Sequence, residues 1–171
     1  MSRLRRLFLS DCHFFITCNL VRKRRELDDR DFGLLAQAIS SARQEHGFVL
    51  TAWVFLPDHW HAVVYPRHPL TISETMKIIK VKSTLQINYH GKESGSLWQA
   101  RFFDHALRTV GDYHKCIDYI HMNPVRRKLV QLPEQWPWSS IHDYNGSCSS
   151  FLPIDRINLP LDPTTKLIPS W

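Results

Sequence analysis

Residues 48–66 read FVLTAWVFLPDHWHAVVYP, two runs rich in aromatic and β-branched residues separated by Pro57-Asp58. Such runs favour pleated backbone, and a Pro-Asp pair between them marks a tight turn. Residues 48–56 and 59–65 are therefore expected to form an antiparallel hairpin. Upstream, DDRDFGLLAQAISSARQEHG (28–47) sets Phe32, Leu35, Ala36 and Ile39 at helical spacing, with Asp28 or Asp29 as N-cap and Gly47 as stop. Before it, CHFFITCNLV (12–21) reads as a first strand.

Downstream, residues 72–88 predict a second helix ending near Gly91, with Met76, Ile79 and Ser83 toward the core and Lys77 and Lys80 outward. SLWQARFFDHALR (96–108) reads as a strand of mixed alternation. VGDYHKCIDYIHMNP (110–124) reads as a short helix terminated by Pro124, because proline pushes the preceding residue away from helical geometry. The order β-α-β-β-α-β-α predicts an α+β fold of the ferredoxin-like or RRM-like kind, an antiparallel sheet with helices packed on one face. From Gln131 onward the chain is proline-rich and aperiodic, and an irregular tail draped on the domain is expected.

At 171 residues and 43% hydrophobic, the chain suits one domain with a sizeable core. No run approaches the roughly 18 apolar residues of a membrane helix, and charges break the N-terminal segment, so a soluble, cytoplasmic protein is expected. Cys12, Cys18, Cys116 and Cys148 form no C-x-x-C pair, which argues against a zinc ribbon or a disulfide framework and for reduced, packed thiols. The net charge of +6 favours a polyanionic partner. It is clustered at Arg3, Arg5 and Arg6, at Arg22, Lys23, Arg24 and Arg25, along Lys77, Lys80 and Lys82, and at Arg126, Arg127 and Lys128. Each cluster alone suits a solvated face; together they suggest a surface that tracks phosphates, hence nucleic acid.

The hairpin carries His59 and His61 in an otherwise apolar strand. Strand alternation points both to one face and Trp60 to the other. Two imidazoles so placed suit either a shared cation or a half-buried sheet. Tyr119 and Asn123, four residues apart, share one face of the third helix, with His121 turned away. Taken alone they read as a core aromatic and a helix cap. Taken with the histidines, the Asn123 amide oxygen completes a mixed nitrogen and oxygen donor set with open positions, as a catalytic divalent ion requires, and Tyr119 becomes a nucleophile beside it.

LPDHWHAVVYP, LWQARFFDHALR and DYIHMNPVRRKLV, in this order and spacing, resemble the REP-associated tyrosine transposases, a branch of the single-tyrosine HUH transposases, from about residue 8 to residue 140. The resemblance implies the HUH endonuclease fold over 1–140, with residues 141–171 as the Pro-rich tail packed on it. It implies His59, His61 and Asn123 as ligands of Mg²⁺ or Mn²⁺ and Tyr119 as the catalytic residue. The activity implied is cleavage and rejoining of single-stranded DNA at hairpins through a 5′-phosphotyrosine link, by a monomer or homodimer. Arg3, Arg5, Arg6, Arg22, Lys23, Arg24, Arg25, Lys77, Lys80, Arg126, Arg127 and Lys128 are the expected DNA contacts. A domesticated hairpin-binding protein without catalysis is the alternative, and no general base is visible. In WQARFFDH, Trp98, Arg101 and His105 stay open between site support and DNA contact, with a core strand around Phe102 and Phe103 the simpler expectation.

Overall fold

In chain order the elements are strand β1 (Phe14–Asn19), helix α1 (Asp29–His46), the hairpin β2 (Val49–Leu56) and β3 (His59–Tyr65), helix α2 (Ile72–Gly91), strand β4 (Phe103–Ala106) and helix α3 (Val110–Arg126). A 3-10 turn (Pro133–Gln135) and a short helix α4 (Ile141–Asn145) follow. The structure is a computed structural model that describes residues 11–146 and 150–167; the Arg3, Arg5, Arg6 cluster and Cys148 lie outside the described residues.

The strands stand in the order β2-β3-β1-β4, every neighbouring pair antiparallel. This is the α+β sheet the element order predicts. α1 forms where expected. Asp28 caps it in a reciprocal box with Asp31, and Gly47 closes it at φ 72°, a left-handed conformation that glycine adopts without a Cβ penalty. Thr71 and Glu74 start α2 in the same way, and Thr109 and Asp112 start α3.

Alternation divides the sheet into two faces. Phe14, Ile16, Trp53, Phe55, Trp60, Ala62 and Val64 pack with Leu35 and Ile39 of α1 and with Met76 and Ile79 of α2. Phe15, Val54, Leu56 and Val63 pack instead with Tyr113, Ile117 and Ile120 of α3. The expectation of helices on one face is thus corrected for the third, which crosses the opposite face, over β2 and β3. The physical reason lies in the strands: buried on both faces, β2 has no polar side to leave in water, so a second apolar layer must cover it. Thr51 is an extra residue between the Leu50–Val64 and Ala52–Val63 pairs, and this bulge assigns Leu50 and Trp53 to one face and Ala52 to the other.

Two further expectations change. The strand read over 96–108 shortens to β4, because Trp98 turns into the core, where its indole N–H donates to Ser83 Oγ at 2.9 Å. Pro124 sits inside the last turn of α3 rather than ending it. Its missing N–H forfeits one bond near the terminus, while Arg127 N–H still donates to the Asn123 carbonyl and Leu129 N–H to that of Pro124.

The segment after residue 131 packs closely. Trp138 and Leu152 are buried in the α1/α2 core, and Trp53 Nε1 donates to the Leu152 carbonyl at 2.7 Å. Burial of a side chain of this class contributes roughly 1.5–3 kcal/mol. Cys12 and Cys18 are buried free thiols, and burial pushes them up to about 11 and about 12 respectively, which leaves them protonated. Among the described residues no helix is long and apolar enough to cross a membrane.

Candidate active site

β3 brings His59 and His61 to the face that α3 crosses. Their Nε2 atoms face each other at 3.1 Å. Each Nδ1 is engaged behind: His59 Nδ1–H donates to Asp58 Oδ1 at 2.6 Å, and His61 Nδ1 shares a hydrogen bond with the Thr17 hydroxyl at 2.8 Å. Thr17 is in place because the β1–β3 register sets it directly opposite His61. A carboxylate behind an imidazole fixes its tautomer and orients Nε2 as a donor to a metal.

With the proton of His59 held on Nδ1, its Nε2 is an acceptor, so the contact with His61 requires a proton or a cation between the two rings. Two donors in adjacent positions of an octahedral ion with bonds of about 2.1 Å lie about 3 Å apart, which matches the observed separation. Burial and the facing His59 push the His61 imidazole down to about 3, so it is neutral, as a metal ligand must be. The donor chemistry and spacing fit a divalent cation.

α3 lies across this pair. The Tyr119 ring meets the His61 ring edge-on, centroids 5.3 Å apart, and rests against Phe15 at 5.7 Å. Two turns on, Arg127 donates to Asp58 Oδ2 at 2.7 Å. Asn123 lies midway between these contacts on the same helical face and is 4% exposed. Tyr119 is 38% exposed, and the Arg126 guanidinium stands 5.0 Å from its ring centre. The fold therefore brings Tyr119 against His61 from elements some 60 residues apart and sets Asn123 one turn further along the same face of α3. Burial pushes the Asp58 carboxyl up, but His59 and Arg127 outweigh it and hold it below the ordinary carboxylate range.

In the sequence, Asp58 reads as a turn residue and Thr17 as one more position of the first strand. A carboxylate directly before the first histidine was a usable signal; the role of Thr17 depends on strand register, which no local pattern carries. His121, turned away from Tyr119 as expected, is buried and bonded through Nε2 to Ser140 Oγ at 3.0 Å, and Ser140 Oγ in turn accepts from Trp53 N–H at 2.9 Å. These bonds tie the back of α3 to β2.

The basic clusters divide. The Arg24 side chain is 9% exposed and is held by Glu93, by Asn88 Oδ1 at 2.6 Å and by the carbonyls of Ser94, Gly95 and Ser96. Arg25 pairs with Asp31 at 2.6 Å and with Glu93 at 3.1 Å. Lys80 donates to the carbonyls of Gln99 and Ala100 at 2.6 and 3.0 Å. Arg24 and Lys80 hold the loop before β4, and the exposed Arg25 links that loop to the start of α1. Arg127 is paired with Asp58, and Lys82, expected in the same basic row as Lys77 and Lys80, is paired with Glu45. Arg22, Lys23, Lys77, Arg126 and Lys128 stand exposed, and Arg22 and Lys23 line a groove of about 910 Å³ with Lys92, Ser94 and Gln99.

The family model for IS200-like transposases matches residues 8–123. The REP-associated tyrosine transposase of Escherichia coli strain K12 is 31% identical over 168 residues, 92% of this chain and 99% of its own. A Haemophilus influenzae protein provisionally assigned to the same group is 26% identical, covering 83% of this chain and 86% of its own length. Among solved structures, a REP-associated tyrosine transposase bound to a REP hairpin superposes with a TM-score of 0.74 at 29% identity, covering 99% of this chain and all of that one.

Proposed function

This chain belongs to the IS200-like transposases, among the REP-associated tyrosine transposases, and from that premise we propose that it nicks and rejoins single-stranded DNA beside a hairpin through a covalent bond to Tyr119. The observation that carries the proposal is the convergence of the two facing His Nε2 atoms with the ring of Tyr119 at the crossing of α3 and β3.

The phenol of Tyr119 gives up its proton to solvent, its oxygen attacks the scissile phosphorus, and an O–P bond forms as the bond to the 3′-oxygen breaks. The 3′-oxygen leaves as a hydroxyl, taking up a proton, and the 5′-phosphate remains esterified to the enzyme. Attack by a 3′-hydroxyl reverses the step, so the phosphoester energy is conserved and no nucleotide cofactor is required. His59, His61 and Asn123 would hold Mg²⁺ or Mn²⁺, which supplies a Lewis acid to a phosphate oxygen. Asp58 and Thr17 orient the two imidazoles, and Arg126 stabilises negative charge beside the nucleophile. Arg22, Lys23 and Lys128 face the strand backbone, which they bind without reading its sequence. A hairpin substrate is supported by the hairpin-bound relative of the same fold.

The test is incubation of labelled hairpin oligonucleotides from the host genome with Mn²⁺ and either the wild type or Tyr119→Phe. The wild type should yield a protein–DNA adduct that survives denaturing electrophoresis, and the variant none. No adduct with the wild type, or an equal one with Tyr119→Phe, overturns the proposal.

A further inference from the structure

Among the described residues, α3 covers β2 and β3 on the site face and leaves β4, the outer strand beyond β1, without a helix over it. The register sets Phe103 opposite Thr17 and His105 opposite Phe15, so both share the face that carries His61. Phe103 is 57% exposed and His105 is exposed as well. A phenylalanine in water on an edge strand is an unfavourable place for an aromatic ring unless something covers it. Its neighbours are those of the candidate site: Phe103 meets Phe15 at 6.2 Å, and Phe15 meets both His61 at 5.3 Å and Tyr119 at 5.7 Å. Phe103 and Tyr119 thus both meet the one buried ring of Phe15.

The opposite wall of this shelf is the exposed stripe of α3. Lys115, Tyr119, Met122 and Arg126 recur at helical spacing and are all exposed, and Arg101 and Arg108 stand exposed at the two ends of β4. Aromatic rings on a sheet face bordered by cations suit one ligand class, an unpaired nucleic-acid strand whose bases stack while its phosphates meet positive charge.

We propose that Phe103 is a stacking platform for one unpaired base of the DNA strand next to the phosphate that Tyr119 attacks. The proposal rests on the function assigned above and adds a positioning residue to it. Stacking there fixes the register of the strand so that one phosphate, rather than its neighbours, lies over the site.

The experiment uses the full chain and a hairpin oligonucleotide with a single-stranded flank, together with a series in which one abasic site walks through the flank. For the wild type, one abasic position should weaken binding about ten-fold or more. Phe103→Leu, which keeps an apolar side chain on an exposed position but loses the ring, should bind the intact flank more weakly by a similar factor and show no sensitivity at that position. Phe103→Trp should restore both. A flat abasic profile for the wild type, or a profile unchanged in Phe103→Leu, overturns the platform. Adduct formation by the wild type, measured in parallel, separates the two failures. If the adduct forms while the profiles are flat or unchanged, only the platform falls. If the wild type neither binds the hairpin nor forms an adduct, the transposase function falls and the platform with it.

Discussion

Replacing Asp58 by alanine should raise the Mn²⁺ concentration needed for half-maximal cleavage by about ten- to a hundred-fold, with little change in hairpin binding. The carboxylate makes two contacts, 2.6 Å to His59 Nδ1 and 2.7 Å to Arg127. Its contact with Arg127 joins two half-exposed groups and contributes no more than about 1 kcal/mol, so losing it leaves the fold intact. The contact with His59 matters differently. Without the carboxylate the ring is free to take the other tautomer or to rotate, and either change turns a lone pair away from His61. Asp58→Asn, whose amide oxygen still accepts from Nδ1–H but carries no charge, should fall between alanine and wild type. Arg127→Ala should leave the metal requirement near wild type, since His59 keeps its acceptor. Metal titration of adduct formation measures all three, with hairpin affinity in EDTA as the control. A half-saturating concentration in Asp58→Ala equal to that of the wild type would refute the orienting role. Loss of hairpin binding in parallel with cleavage would show that Asp58 supports the fold and not the metal.

Acid should destabilise the protein through its buried histidines. Burial pushes His13 and His121 each down to about 4, while the unfolded chain takes up those protons near pH 6.5, so stability is fully present above that pH and is lost as pH falls toward 4. Between pH 7 and pH 5 the loss is roughly 2 kcal/mol per histidine, read from urea midpoints, and an unchanged midpoint would contradict it. Among the described residues neither ring nitrogen of His13 has a hydrogen-bond partner, so His13→Leu should flatten this dependence and raise the midpoint at pH 5. Arg24→Ala should cost about 2–3 kcal/mol in thermal unfolding and leave the salt slope of hairpin binding unchanged, whereas Arg22→Ala and Lys23→Ala should lower affinity and slope without a change in melting; the reverse pattern would return Arg24 to the DNA surface.

Much of the sheet was legible because its signals are local. β3 occupies the expected residues, and α1 runs between the expected Asp28 cap and Gly47, because caps, turn residues and alternation act within a few positions of where they are read. The face that α3 took was not legible from its own residues, since an amphipathic helix shows that it has an apolar side without showing which layer it meets. The missing information lay in β2, whose continuous apolar run already called for cover on both sides. The partners of the basic run were not legible for a related reason. Arg24 and Arg25 look like a solvated basic run until the loop that carries Glu93 folds against them, and nothing near residue 24 announces a partner at residue 93. Phe103 failed in the opposite sense: a Phe-Phe pair suggested a core strand, but β4 lies at the sheet edge, so Phe102 packs against the α1/α2 core while Phe103 stands in water.

The candidate site depends on how firmly α3 is set over β3, because strand geometry already fixes the histidines and only the helix can bring Tyr119 and Asn123 to them. The helix is held at its start, where Val110 and Gly111 donate to the carbonyls of Thr165 and Pro163 and Thr109 bridges Lys166. It is held along its back by the His121–Ser140 bond, and the neighbouring Tyr144 hydroxyl donates to the Thr51 carbonyl at the β2 bulge. It is held at its end by Arg127 on Asp58. Two of these three anchors come from residues beyond 131, the proline-rich segment expected as an irregular tail draped on the domain. Since loops and termini contribute rigidity where their backbone groups are satisfied by the body of the protein, this segment acts as part of the scaffold that positions Tyr119, the proposed nucleophile. A reacting phosphate tolerates little misplacement of its attacking oxygen, and a shift of about 1 Å can cost a hundred-fold in rate. Contacts far from the chemistry, at Ser140, Pro163 and Thr165, therefore belong to the same functional unit as His59 and Tyr119.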